Sequence, residues 1–483
     1  MIRNRRLSRW PLLRAGLPAV LVMTALSALL LSGCATLPSM IKPVLETEGE
    51  VFVYLQPFPQ EAERLRFTVD SLVAVRSDGA EFPLTLAREE FSRNTARQQR
   101  LLASGRVPPG QYVGLSSTIK KAVLAGDQGE AALLTPEGPV KTDFAFEVRR
   151  KQAIVLTLSL RYAESVLSGF RFSPMFSLSV PSRPLSGLTG YVTNRNDDTI
   201  TVFNKKSGEV AAVITTGRGP WAIALDQKAG KAYVSLSGED AVDVIDVTGG
   251  GIINRIQLSI GDRPRDISLT PDGKKLLVVN ASSRTVSIID PGSLFELGRV
   301  PVGEGARSVL VDHDGKRAYV FNQLSNTITV IDIAQRATVV TLSTDIGPMM
   351  GQFNRKGDKL YVILSGSPYL SVINPFTVAI DRKVFVGPGL SSIKVDTMTD
   401  MLYACRKQDA VVEVYDPFSL SPGAYIPALS GVTYMTIDGE ENTLYLVSPE
   451  TRMLMTVNLI SKKITTTIDA GEESAWVTMM GER

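Results

Sequence analysis

The sequence predicts an all-β chain whose larger part is a closed ring of seven repeated four-stranded units. Three observations carry that reading. The stretch Tyr191-Val192-Thr193-Asn194 returns at Tyr233, Leu277, Tyr319, Tyr361, Tyr403 and Tyr445, at steps of 42, 44, 42, 42, 42 and 42 residues, each time opening a short apolar run. A second marker keeps the same beat: Asn204, Asp246, Asp290, Asp332, Asn374, Asp416 and Asn458 each close an alternating segment of the form Val-x-Val-Ile-Asp. The first unit lacks an inner strand, and Ala475-Trp476-Val477-Thr478-Met479 at the far end matches Trp221-Ala222-Ile223-Ala224-Leu225. Self-similarity at about 40–45 residues with several short strands per unit is the signature of a β-propeller. The C-terminal strand is expected to pair with the first unit and close the ring, removing a long exposed edge.

Residues 1–33 are a different kind of segment. Arg3, Arg5, Arg6, Arg9 and Arg14 stand without any acid, and an apolar run follows through Leu31, the pattern of a secretory signal. Leu31-Ser32-Gly33-Cys34 resembles a bacterial lipobox. The resemblance implies cleavage before Cys34 and lipid, palmitate included, on its sulfur and amine. Buried acyl CH₂ groups contribute about 0.8 kcal/mol each, so several chains make a durable anchor. Ala35, where this class uses aspartate for inner-membrane retention, implies the outer membrane, on its periplasmic face or at the cell surface.

The whole chain has 52 basic and 49 acidic residues, but the five arginines of the signal account for the excess. The remaining chain is near neutral and gives no electrostatic reason to expect nucleic-acid binding, which needs clustered Lys and Arg to displace counterions. Of the two cysteines, Cys34 is taken by lipid, leaving Cys405 in an apolar segment as an inert buried thiol. No disulfide framework is expected.

Residues 34–48 read as a tether. From Val51 the chain alternates in strand fashion, and Asp78-Gly79 turns Leu72-Val75 into Phe82-Leu86 as a hairpin. Residues 87–103 hold good helix formers without alternation and are assigned one helix. Pro108-Pro109-Gly110-Gln111-Tyr112 opens a further strand, and two more follow at 142–149 and 152–162. Residues 49–162 are therefore expected to form an antiparallel β-sandwich, and they look like the small immunoglobulin- or transthyretin-like modules of secreted bacterial proteins. Residues 163–189, with Pro174, Pro181 and Pro184 among serines, are read as a linker.

Residues 190–483 are the ring. Asp272-Gly273, Asp314-Gly315 and Lys356-Gly357 occupy the first hairpin turn of later units, as tight turns require. The Asp or Asn after each third strand is assigned to bonding its own turn, not to catalysis. With Tyr-Val-Thr-Asn at its head and Asp-Gly turns, the pattern resembles the YVTN-type β-propeller repeat family over residues 190–480. That resemblance implies the fold; related propellers include lactonase-like hydrolases, dehydrogenase subunits and non-catalytic binders, so it implies no single activity.

In such a ring the segments entering the inner strands gather at one channel mouth. They bring Arg218, Trp221, Arg263, Arg265 with Asp266, Arg307, Met349-Met350, Tyr434 and Trp476, joined by second-to-third-strand loops carrying Arg195, Arg284 and Lys407. Trp and Arg are favoured anchors in concave recognition sites, so Arg218, Trp221, Arg263, Arg265, Arg307, Tyr434 and Trp476 are the candidate binding residues. The methionines are assigned to core packing. The single histidine, His313, lies in a hairpin turn at the opposite end from the mouth, which removes His-based nucleophiles and metal sites from the channel. Neither a catalytic residue, a cofactor nor a metal is expected. The resulting expectation is an outer-membrane-anchored module that binds another envelope protein or a ligand without turnover. A lactonase-like hydrolase is the alternative, with a carboxylate of raised pKa in the channel as its mark; a nucleic-acid-binding propeller is a second alternative.

Overall fold

The computed structural model describes residues 45–92, 97–126 and 129–482. The expected signal segment, residues 1–33, and the expected lipidation site, Cys34, lie outside them. Seven four-stranded antiparallel sheets follow one another from Thr189 to Met479. Blade 2 shows the pattern: Pro220–Asp226 innermost, then Lys231–Leu236, Ala241–Asp246 and, outermost, Gly251–Gln257.

The two sequence markers explain themselves in the blades. Tyr191, Tyr233, Tyr319, Tyr361 and Tyr445 are all at most 2% exposed, buried in the apolar clusters of the ring. Asn204, Asp246 and Asp416, and their four counterparts, accept main-chain N–H groups of the turn that follows each third strand. Gly273, Gly315 and Gly357 have φ of 71°, 69° and 71°, the left-handed geometry those hairpin turns need. The extra two residues of the 44-residue step fall in the connection 258–263 between Gly251–Gln257 and the next innermost strand, Pro264–Leu269.

Blade 1 closes as expected. Its second, third and outermost strands are Thr189–Asn194, Thr199–Asn204 and Val210–Thr215, and Ser474–Met479 pairs antiparallel with Thr189–Asn194 as its innermost strand. A buried ionic clasp locks the junction. The Lys205 ammonium, wholly buried, lies 2.9 Å from an Asp438 carboxylate oxygen and 3.2 Å from Glu440, and donates to the Met480 carbonyl at 2.6 Å. These partners come from blade 7 and the C-terminus, so one side chain ties blade 1 to both. Removing one member of a buried pair strands the other charge, so Lys205→Met is expected to cost about 3–5 kcal/mol. Urea unfolding would check it; a loss under about 1 kcal/mol would mean the clasp contributes only as an exposed pair does.

The N-terminal part departs from the expected sandwich. Ten of its strands form one continuous sheet, because Glu81–Leu86 pairs both with Leu65–Arg76 and with Arg100–Val107. The sheet curls around a single core that includes Phe67, Phe91, Tyr112 and Phe172. It is mixed, since Gly49–Leu55 runs parallel to Ala153–Leu160.

Two further expectations are corrected. The helix over 87–103 is absent among the described residues: Glu90–Ser92 and Arg100–Val107 are strands. The Arg-Gln-Gln-Arg run has helical propensity, but tertiary contacts decide its conformation. The Gln98 side-chain Oε1 accepts the Thr467 N–H at 2.8 Å, and that of Gln99 accepts the Val210 N–H at 2.7 Å, so this segment covers the edges of two outermost blade strands. Beside them Arg100 meets Asp469 at 3.0 Å. The segment 163–189 is not a bare linker either. It holds Phe176–Ser179, which pairs with Ala153–Leu160 and extends the N-terminal sheet. Phe52, Tyr54 and Val155 of that sheet share an apolar cluster with Val192, Phe203 and Tyr445 of the ring. The two parts are one compact unit from Val44 onward.

Candidate functional site at the channel mouth

The site is built by a repeated irregularity of the innermost strands. In blade 2, Pro220 faces Leu236 and Ile223 faces Val234, so Trp221 and Ala222 together oppose Ser235 alone. Arg265 and Asp266 sit at the same bulge in blade 3, between Pro264 and Ile267. Blades 4, 5 and 6 shift register at the equivalent place, after Ala306, Pro348 and Leu390. A bulge inserts an extra residue and re-aims side chains, and in blades 3, 4 and 5 two successive residues line the channel: Arg265 and Asp266, Arg307 and Ser308, Met349 and Met350. Hydroxyls then bolt these segments across blades. Thr193 donates to the Trp221 carbonyl at 2.7 Å, Ser235 to that of Arg265 at 2.8 Å, and Ser308 to that of Met349 at 2.7 Å.

The result is a cavity of about 510 Å³ at the mouth. Five of the seven expected residues line it: Trp221, Arg265, Arg307, Tyr434 and Trp476. Arg218 and Arg263 do not; both are exposed on the rim. Arg263 lies in the lengthened connection 258–263, with φ of 48° and its N–H held by Asp240 at 2.7 Å, which carries it away from the channel. Arg195, Asp266 and Glu473 line the cavity although none was a candidate binding residue. Met349 and Met350 line it too, besides packing with the core of blades 5 and 6, a correction to their assignment as core alone.

The aromatic side of the cavity is a stacked pair, Tyr434 on Trp476, with ring centroids 3.8 Å apart and planes 24° from parallel. Burial, reinforced by Glu482 and Asp266, drives the Tyr434 hydroxyl well above its ordinary range, so it stays neutral. Trp221 is the anchor for two cations: the Arg195 guanidinium carbon lies 3.8 Å from its ring centroid and that of Arg265 4.2 Å. Such contacts are worth about 0.5–2 kcal/mol according to how dry they are.

The arginines are under electrostatic pressure. Burial, with repulsion from Arg307 and Arg195, pulls Arg265 down to about 10. Burial likewise lowers Arg307, and Arg195 despite its 2.9 Å ion pair with Glu473. Asp266 accepts the N–H of Ile267 at 2.8 Å and of Val309 at 2.9 Å, linking blades 3 and 4. Burial nonetheless pushes its carboxyl up to about 7.

An unfolded Asp266 ionises near its ordinary 3.8, whereas the folded one holds its proton to about 7. Between these values the native state binds more protons, so this group's contribution is fully present at low pH and is lost as pH rises through about 7. Stability measured from pH 4.5 to 8 should fall by this contribution in the wild type, and Asp266→Ala should flatten that part of the slope. An unchanged slope would mean Asp266 is already ionised throughout.

Other sequence candidates fall elsewhere. His313 sits in the first turn of blade 4, edge-on to Phe353 at 5.5 Å. Cys405 is 1% exposed and burial pushes its thiol up, away from the reactive thiolate. Among the described residues no helix is long and apolar enough to cross a membrane.

Fold and site together define a seven-bladed β-propeller with a ligand-sized mouth lined by arginines and aromatic rings. Comparison with known proteins agrees on the fold. A family model described as a YNCE-like beta-propeller matches residues 186–351. Over 104 residues the chain is 34% identical to a seven-bladed β-propeller protein of Mycobacterium tuberculosis, a match covering 20% of this chain and 26% of that one. The similarity thus spans about a quarter of that relative's length. Among solved structures, a functionally unknown protein from Desulfotomaculum acetoxidans has a TM-score of 0.54 at 15% identity, over 60% of this chain and 98% of that one. The dihydro-heme d1 dehydrogenase NirN, in complex with DHE, has a TM-score of 0.50 at 11% identity, over 63% and 78%. At these identities the likeness is of fold alone.

Proposed function

We propose that this protein is a binding module of the bacterial envelope, held at the outer membrane by lipid on Cys34, which receives a partner or ligand at the propeller mouth without turnover. One observation carries the reading. Arg265 and Arg307 are half-buried in a ligand-sized cavity and have no ion pair among the described residues. Uncompensated buried charge costs the fold free energy, and a bound group that satisfies it offsets that cost. The test is photocrosslinking in native envelopes from two exposed positions. A crosslinker at Arg218, on the rim, should give a discrete adduct; one at Lys228, in the turn at the other end of blade 2, should give none. Adducts from both positions, or from Lys228 alone, would remove the mouth as the binding face.

A hydrolytic reading is favoured by one observation, the near-neutral Asp266 carboxyl inside the cavity, since a general base works best near ambient pH. Against it, both Asp266 oxygens already accept main-chain N–H groups. Lactone hydrolysis abolished by Asp266→Ala would favour this reading over simple binding.

A further inference from the structure

Around the mouth, three of the outer basic residues are matched by acids. Arg284 meets Glu304 at 2.9 Å, Arg452 meets Glu472 at 2.7 Å and Lys407 meets Glu450 at 3.0 Å. Deeper in, Arg195 pairs with Glu473 at 2.9 Å and Lys394 with Glu482 at 3.7 Å, but Arg265 and Arg307 are left without an ion pair among the described residues. Arg265 has no hydrogen-bond acceptor or ion-pair partner among the described residues, and Arg307 reaches only the Gln323 side-chain oxygen, at 3.3 Å. Arg195 Nε and Ser474 Oγ, of two residues that line the cavity, are buried with no hydrogen-bond partner. Of the five cationic side chains lining the cavity, Arg195, Lys394 and Lys407 are ion-paired, which leaves Arg265 and Arg307 with only Asp266 nearby, a carboxyl that burial pushes up to about 7. A guanidinium offers a planar fork that fits carboxylate or phosphate oxygens, and Trp221, beneath Arg195 and Arg265, and Trp476, stacked on Tyr434, wall the cavity beside it.

Resting on the binding reading above, we propose that the cavity holds a small polyanion, its acidic groups on Arg265 and Arg307 beside the cavity's tryptophans. The volume of about 510 Å³ suits one small molecule. A nucleic-acid strand would need a continuous basic track leading away from the cavity, and Glu304, Glu450 and Glu472 interrupt the basic residues of the rim.

The protein carries its own reporter. Two of its three tryptophans, Trp221 and Trp476, line the cavity, and Trp10 belongs to the signal segment. Tryptophan emission would be titrated with benzene-1,3,5-tricarboxylate, its neutral triamide, benzyltrimethylammonium and a single-stranded oligothymidylate. The tricarboxylate should give a saturable change at least tenfold tighter than the triamide. Arg265→Gln combined with Arg307→Gln should weaken it at least tenfold with the circular dichroism spectrum unchanged, and Lys228→Gln, at the other end of blade 2, should leave it alone. Equal binding of the triamide or the ammonium, or undiminished binding by the double variant, would overturn the anionic class while leaving the cavity a binding site. Silence from every probe would overturn both. Tighter binding of the oligothymidylate than of the tricarboxylate would replace the small molecule with nucleic acid.

Discussion

Removing residues 474–482 is expected to abolish folding of the propeller, not merely to trim its end. The deletion takes the innermost strand from blade 1, and with it Val477 and Met479, both fully buried. Burying a side chain of that size contributes about 1.5–3 kcal/mol. The loss also bares the ladder along Thr189–Asn194, takes the Met480 carbonyl from Lys205, and removes Trp476 from Tyr434. Against a total stability of about 5–15 kcal/mol for a typical domain, those combined losses leave little or no folded population. Soluble yield and the near-ultraviolet circular dichroism of the truncated chain are the readouts. A soluble chain with cooperative unfolding near the wild-type midpoint would show that the ring does not depend on its C-terminal strand. Supplying residues 470–483 as a separate peptide should restore part of the fold, because the strand pairs antiparallel through side chains and backbone without a covalent requirement.

The second large effect has the opposite sign. Replacing Arg265 and Arg307 together by glutamine should stabilise the protein while disabling its site. Burial lowers both guanidinium groups, and Arg307 is the strongest repulsive neighbour of Arg265. The two replacements forfeit the Arg265 contact with Trp221, worth about 1 kcal/mol. They remove a desolvation and repulsion cost of about 2–3 kcal/mol, as the depression of Arg265 to about 10 implies. The balance is a gain of about 1–2 kcal/mol, which for a chain of this size raises the thermal midpoint by a few degrees. Functional sites commonly carry this kind of local instability. A double variant less stable than the wild type would mean the arginines are satisfied within the fold and have no need of a ligand.

The ring was legible in the sequence because its signals are repeated and local. A buried tyrosine and a turn-capping Asp or Asn recur in nearly every blade, so errors at one copy, such as Leu277 in place of tyrosine, do not hide the period. The closing strand was legible for the same reason, since Ala475-Trp476 matches the place of Trp221-Ala222 and pairs as that place requires. What escaped was everything set by one-off tertiary contacts. The polar run ending at Arg100 reads as helix until the strand edges it covers are known. Phe176–Ser179 is too short to announce itself as the last strand of the N-terminal sheet.

Within the site, the inner-strand positions were legible and the aim of their side chains was not. Trp221, Arg265 and Arg307 fall at one repeat position, so all three were candidates and all three line the cavity. A plain strand would have sent Asp266 to the opposite side from Arg265; the bulge after Pro264 brings both to the channel. The prolines heading Pro220–Asp226, Pro264–Leu269 and Pro348–Phe353 were the available signal, because proline within sheets favours strand starts and bulges. Arg263 was misplaced for want of a length argument: the two added residues fall in its own loop.

The central claim, that the mouth receives a partner through its unpaired arginines, is tested most directly by crosslinking capture from native envelopes. Wild type and the Arg265→Gln/Arg307→Gln variant would be compared at equal abundance. The expected result is one dominant species, protein or small molecule, held by the wild type and lost from the variant although the variant is folded and at least as stable. Equal capture by the two proteins would contradict the claim and move the binding surface away from the channel.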